Sequence, residues 1–255
     1  MSAATGVHGV PDAEADMSGY GQFCPVAKAM ELLDERWTLL IIRELLAGST
    51  RFNDLRRGVP HMSPALLSKR LRRLEHAGLV RKRVEGTRTD YRLTQAAEEL
   101  RPIVDGLAAW RVRWIGELGQ EDFDPHLLLW DMRQQIDVEA WPRRRTVVAM
   151  RFTDVLPGAS QWWLVCHEGD LDLCDFDPGF AVAATVTTRL PVMTRIWRGD
   201  RSWQHALRAE ELRIDGDADA VGRVPGWLGQ AGWASVPRPS ERELAAVREP
   251  ALAGM

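Results

Sequence analysis

Twelve lysines and arginines fall between Arg51 and Arg92, against four acids, Asp54, Glu75, Glu85 and Asp90. That segment carries +8 in a chain whose total is -3, so the rest carries -11. Cations at this density neutralise phosphates, and each neutralised phosphate releases a condensed counterion and gains affinity. The pattern predicts double-stranded DNA as a partner. Arg51 is expected to meet a phosphate. Ser63, Ala65, Ser68 and Lys69 are expected at base edges, with Arg72 and Arg88 nearer the backbone or minor groove. Any single basic residue is as readily a solvated one, so the inference rests on the ensemble.

The elements that must position these groups follow from spacing and caps. From Pro25 to Leu46, Val26, Met30, Leu33, Trp37, Leu40, Ile41 and Leu45 recur at three- and four-residue steps, which predicts one or two helices with a buried face. Gly48 ends that unit. Phe52 to Arg56 forms a short helix, and Gly58, Val59 and Pro60 a turn. Ser63 is a favoured N-cap, Pro64 suits the first helical turn, and Gly78 stands where a left-handed residue closes a helix. Leu67, Leu71 and Leu74 form the packing stripe. Ala65, Ser68, Lys69, Arg72 and Arg73 fall on other faces, leaving one side for a major groove. Leu79–Glu85 and Asp90–Thr94 are expected as strands around Gly86, Thr87, Arg88 and Thr89, a wing with an arginine at its tip. Glu98 to Leu118 continues as a helix whose broad apolar face, through Ile103, Leu107, Trp110 and Trp114, needs a partner.

Cys24-Pro25, Arg36-Trp37-Thr38, Arg51-Phe52 with Leu55, the Ser63 to Arg73 helix, Leu74-Glu75-x-x-Gly78-Leu79-Val80 and Tyr91-x-Leu93-Thr94 occur in that order. Together they resemble the HxlR-type branch of MarR-like winged-helix transcription regulators, over roughly Cys24 to Trp114. The resemblance implies a homodimer on an inverted-repeat operator, paired through the first helix and the helix after the wing. Two departures are visible: Asp34-Glu35 stands where the family usually has glycines, and the wing lacks a Pro-rich tip. In some such regulators the cysteine at the Cys24 position resembles an oxidant or electrophile sensor, and a helix N-terminus lowers a thiol's pKa. Packing at a dimer interface is the alternative.

Residues 126 to 233 are acidic and hold eight of the 11 Trp. A helix through Leu127 to Ile136 comes first, followed by strands at 146–152, 161–167, 170–175 and 181–188. Helices at 190–197 and 202–209, a strand at 212–215 and a closing helix through Leu228 complete this half. The fold class is α+β, with an N-terminal winged helix and a C-terminal half built on a mainly antiparallel sheet. The order of these elements, with Trp197-x-Gly199-Asp200, Trp203-x-x-Ala206-Leu207 and Leu212-x-Ile214-x-Gly216-Asp217, is similar to sterol-carrier-protein type lipid-binding domains. That resemblance implies an apolar small molecule that changes the dimer's DNA affinity. Trp162, Trp163, Met193, Trp197 and Trp203 are the candidate ligand-binding residues, although tryptophan is as often plain core. Trp162 and Trp163 must point to opposite faces of their strand. Cys166, His167, Asp170, Asp172, Cys174 and Asp175 lack closed ligand spacing, so no metal is expected.

The expected organisation is a disordered tail over 1–20, a DNA-binding and dimerisation domain over 21–119, a ligand-binding domain over 126–233, and a tail over 234–255 with at most one weak helix. The polar Gly119–Pro125 segment separates the domains. No apolar run approaches the roughly 18 residues of a membrane span, and no secretory signal opens the chain, so a cytoplasmic protein without a membrane partner is expected. Three cysteines then mean free thiols. Neither a cofactor loop nor a nucleophile with its base is visible, so no enzyme and no cofactor are expected. Two other readings stay open: an enzyme with a DNA-binding appendage, and a C-terminal half that is a ligand-free interaction module.

Overall fold

The computed structural model describes residues 19–115 and 118–248, so the expected tails fall largely outside it at the N-terminus and partly at the C-terminus. Two hydrophobic cores organise what is described, one before residue 105 and one after residue 122.

The first core gathers α1 (Pro25–Leu33), α2 (Thr38–Leu46), α3 (Phe52–Gly58) and α4 (Pro64–His76) around Ile41, Ile42, Leu55, Leu67 and Leu71, none more than 1% exposed. The break between α1 and α2 falls at Trp37, whose φ of 82° is left-handed, a conformation that a bulky residue adopts only under constraint. Gly58 closes α3 instead of opening a turn. Ser63 caps α4 by accepting from the Leu66 N–H at 3.2 Å, and Gly78 leaves it with a φ of 72°.

The wing departs from expectation. β1 (Val80–Glu85) and β2 (Arg88–Leu93) are antiparallel with Glu85 opposite Arg88, so the turn is Gly86-Thr87 alone. A left-handed glycine at Gly86 (φ 59°) permits a two-residue turn that matches strand twist. Arg88 therefore opens β2 instead of standing at the tip. The helix expected over 98–118 is also divided, into α5 (Gln95–Glu98) and α6 (Arg101–Trp114), because Pro102 suits only a first helical turn. Residues 116 and 117, inside the expected helix, lie outside the described ones.

The second core opens with α7 (Pro125–Gln135), capped by the Asp124 carboxylate, which accepts from the Leu127 N–H at 3.1 Å. A five-stranded sheet follows, built from β3 (Thr146–Phe152), β4 (Gln161–His167), β5 (Asp170–Cys174), β6 (Ala184–Thr188) and β7 (Leu212–Gly216), in spatial order β5-β4-β3-β6-β7. Every pairing is antiparallel except β3 with β6. Alternation turns Val148, Met150 and Phe152 of β3, and Trp162, Leu164 and Cys166 of β4, toward one face. On that face α7, α8 (Leu190–Trp197), α9 (Trp203–Arg208) and α10 (Ala218–Leu228) bury their apolar sides. A last helix, α11 (Glu241–Arg248), lies within the expected tail. Among the described residues no helix is long and apolar enough to cross a membrane, and no cluster of His, Cys, Asp and Glu is set to hold a metal.

Candidate nucleic-acid interface and the joint behind it

Leu67, Leu71 and Leu74 tie α4 to the first core, which leaves Ala65, Lys69 and Arg72 exposed and Ser68 half-buried on its outer side. These four positions run i, i+3, i+4, i+7, so they form one stripe. Among the described residues Lys69 and Arg72 make no ion pair. Arg70 and Arg73 do: both meet the Glu35 carboxylate, and Arg73 also donates to the Glu31 carbonyl at 2.9 Å. Two of the segment's twelve cations thus anchor α4 to the α1–α2 connection. Asp34-Glu35, the departure from the family's glycines, supplies that anchor.

Arg51 is exposed at the N-cap position of α3 and bridges to Asp90 of β2 through the backbone. Arg88, expected to be available to DNA, donates to the Asp90 carboxylate at 3.0 Å. Of the wing's cations, sequence reasoning singled out Arg88 and missed a facing pair. Arg81 and Arg92 are exposed and directly opposite each other in the β1–β2 register. Like charges in that position repel unless an anion lies between them. Strand alternation and register were the signal that could have found them.

A second surface is apolar. Phe23 is 98% exposed and Val26 of α1 69%, while Ile103, Leu107 and Trp110 of α6 are each about half exposed. Val104 and Val112 turn inward, so the face expected as one broad stripe on α6 is divided between packing and solvent. Cys24 sits half-buried at the N-terminus of α1 and makes no capping hydrogen bond. All three cysteines are free, and burial pushes the Cys166 and Cys174 thiols up.

Behind α4, the two cores meet at one buried acid. Glu44 of α2 accepts from the Trp130 indole N–H at 3.0 Å and the Gln134 amide at 2.8 Å, both on α7. It also accepts from Ser49 and, at 2.6 Å, from Arg43. The Arg57 guanidinium of α3 lies 5.5 Å from the centre of the Trp130 ring, and Arg133 approaches the same ring at 5.2 Å. Asp131, next along α7, accepts from the Trp197 indole at 2.7 Å and from Gln135 at 2.8 Å, and burial raises its pKa.

Four of the five candidate ligand residues, Trp162, Met193, Trp197 and Trp203, come together in the second core, none more than 8% exposed. The indole N–H groups of Trp162 and Trp203 donate to the carbonyls of Ala159 and Gly229. Trp163 lies half-buried on the sheet's other face. None of the five lines the cavity that opens beside Glu44, where Trp37, Trp130 and Trp233 stand instead.

Three helices beneath a capped, outward-facing α4 and a basic two-stranded wing define a winged helix-turn-helix protein of the DNA-binding class. Residues 32–118 match the model of the HxlR-like helix-turn-helix family, and the chain belongs to that family. The HTH-type transcriptional regulator YvaP of Bacillus subtilis (strain 168) is 37% identical over 98 residues, which cover 37% of this chain and 91% of the relative. The HTH-type transcriptional regulator Rv3095 of Mycobacterium tuberculosis (strain ATCC 25618 / H37Rv) is 40% identical over 101 residues, 38% of this chain and 63% of the relative. A solved structure, the reduced form of the transcriptional regulator YodB from B. subtilis, is 31% identical with a TM-score of 0.32, covering 35% of this chain and 92% of that one.

Proposed function

We propose that this HxlR-family regulator binds an inverted-repeat operator as a homodimer and that its C-terminal half, a sterol-carrier-like α+β unit, adjusts DNA affinity in response to an apolar small molecule. The observation that carries the reading is the stripe of Ala65, Ser68, Lys69 and Arg72 left open on α4 while Arg70 and Arg73 are tied inward. Base-edge contacts fall to Ser63, Ala65, Ser68 and Lys69, and phosphate contacts to Arg51, Arg72 and the Arg81–Arg92 pair. Arg88 is a weaker candidate, because Asp90 already neutralises it. Dimerisation through α1 and α6 is supported by the exposed Phe23, Val26, Ile103, Leu107 and Trp110. Cys24, beside that surface, is the candidate for redox sensing.

Arg72→Ala tests the DNA reading by fluorescence anisotropy on the DNA upstream of the protein's own coding sequence, titrated at several salt concentrations. Loss of one phosphate contact should weaken binding and lower the slope of log K against log salt by about 0.9. Unchanged affinity and slope reject the assignment. A second reading, in which the C-terminal half is an interaction module, draws on the filling of its core, where Met193 and Trp197 are at most 2% exposed.

A further inference from the structure

The two cores leave a divided cleft where they meet. One lobe, about 420 Å³, is walled by Trp37, Leu40, Val59, Val112, Trp130 and Trp233. The other, about 380 Å³, lies between α2, α6 and α7. Arg43, Ala108, Asp131 and Trp233 line both, so the lobes adjoin with Arg43 at the neck. Each volume falls in the range of small-molecule sites, roughly 300 to 1,000 Å³.

The chemistry of the walls selects a ligand class. Aromatic and aliphatic side chains form most of the first lobe, with Arg43, Arg111, Arg198 and His61 also on its wall, a lining that favours a flat apolar molecule carrying negative charge. Its two carboxylates are already engaged: Glu44 by Arg43, Trp130, Gln134 and Ser49, and Asp131 by Trp197 and Gln135. The Arg43 side chain, 44% exposed, uses its Nη2 for Glu44 and the Gly58 carbonyl. A planar guanidinium has five N–H donors, so its remaining ones suit an oxyanion. Trp37, held left-handed, lines the same lobe, with the Arg36 guanidinium 5.2 Å from the centre of its ring.

We propose that the effector binds in this cleft and is a flat apolar molecule bearing one anionic group, paired with Arg43 beside Trp37, Trp130 and Trp233. The proposal rests on the reading that the C-terminal half adjusts DNA affinity. It also supplies the coupling: an anion on Arg43 competes with Glu44, which holds α7 against the α2–α3 unit beneath α4. Such a ligand has different contacts when the joint is closed and when it is loosened, as a shift between two states requires.

The probes are 1-anilinonaphthalene-8-sulfonate, flat and anionic, and its uncharged relative N-phenyl-1-naphthylamine, followed by fluorescence on the full chain. Wild type should bind one sulfonate probe per chain. Ala108→Trp fills the neck without deleting a hydrogen bond and should weaken both probes at least about tenfold. Arg43→Gln should weaken the sulfonate about tenfold while changing the neutral probe less than about twofold. Near-UV circular dichroism monitors folding of both variants, and Trp233→Ala, which removes a wall, should weaken both probes if Ala108→Trp misfolds. No binding to wild type, wild-type affinity in the neck and wall variants, or equal losses of both probes in Arg43→Gln would overturn the proposed site. If the variants behave as expected but saturating sulfonate probe leaves operator affinity unchanged, the regulatory reading fails and the cleft remains a binding site only.

Discussion

Glu44 is the side chain on which the joint between the two cores depends, and its removal tests that claim quantitatively. It is 1% exposed and accepts hydrogen bonds from two α7 side chains 86 and 90 residues away in sequence. In Glu44→Ala, Arg43 keeps the Gly58 carbonyl and is exposed enough to be rehydrated, and Gln134 keeps Ser49 at 2.9 Å. The Trp130 indole N–H keeps no partner, a loss of about 1–3 kcal/mol. With the vacated volume and the lost hydrogen bonds to a charged group, each worth about 1.5–3 kcal/mol, the total should exceed the cost of the indole alone, while Arg43, 44% exposed, leaves no buried charge behind. A double-mutant cycle with Trp130→Phe isolates the cross-core bond, since phenylalanine keeps a ring over α3 but has no N–H. Its coupling energy should be about 1.5–3 kcal/mol, as for hydrogen bonds to charged groups. Urea unfolding read by both tryptophan fluorescence and far-UV circular dichroism supplies the four stabilities and checks for a single transition. A coupling below about 0.5 kcal/mol, the scatter of independent sites, would refute the reasoning.

Gly58→Ala probes the same acid from the other side. A methyl group at Gly58 would overlap the Glu44 carboxylate, which its four partners prevent from moving away. Overpacking should cost about 1–3 kcal/mol and exceed the helix-propensity gain of roughly 1 kcal/mol; a more stable variant would show that Glu44 is free to shift. His126, its ring tilted at 53° to that of Trp162 with the centres 5.7 Å apart, has its pKa lowered from 6.5, first by burial and also by Arg57, against opposing Asp124 and Asp175. Protonation therefore favours the unfolded chain, and the stability His126 contributes is present above its unfolded pKa and lost as pH falls toward the depressed folded one. Between about pH 7.5 and about pH 5 the urea midpoint of wild type should fall further than that of His126→Phe; parallel curves would remove His126 from the acid response.

Sequence alone determined the elements whose signals are local. Ser63, Pro64 and Gly78 mark α4 because capping and left-handed closure depend on neighbours a few residues away. The strands 146–152 and 161–167 and the helix 190–197 match the structure to the residue, because side-chain alternation and helical period are properties of the segment itself. Tertiary structure decided what meets each face. Periodicity identified α2 as amphipathic, yet Glu44 looks like any acid on a helix until α7 brings Trp130 and Gln134 to it. Basic spacing could not separate Lys69 and Arg72, which stay outward, from Arg70 and Arg73, which Glu35 draws inward from 35 and 38 residues away. Nor could composition tell a tryptophan-lined pocket from a tryptophan-filled core. Trp162, Trp197 and Trp203 pack together, while Trp37, Trp130 and Trp233 border a cleft that exists only because two cores meet. A local pattern reports which side of an element avoids water; the partner that covers it is set by long-range packing.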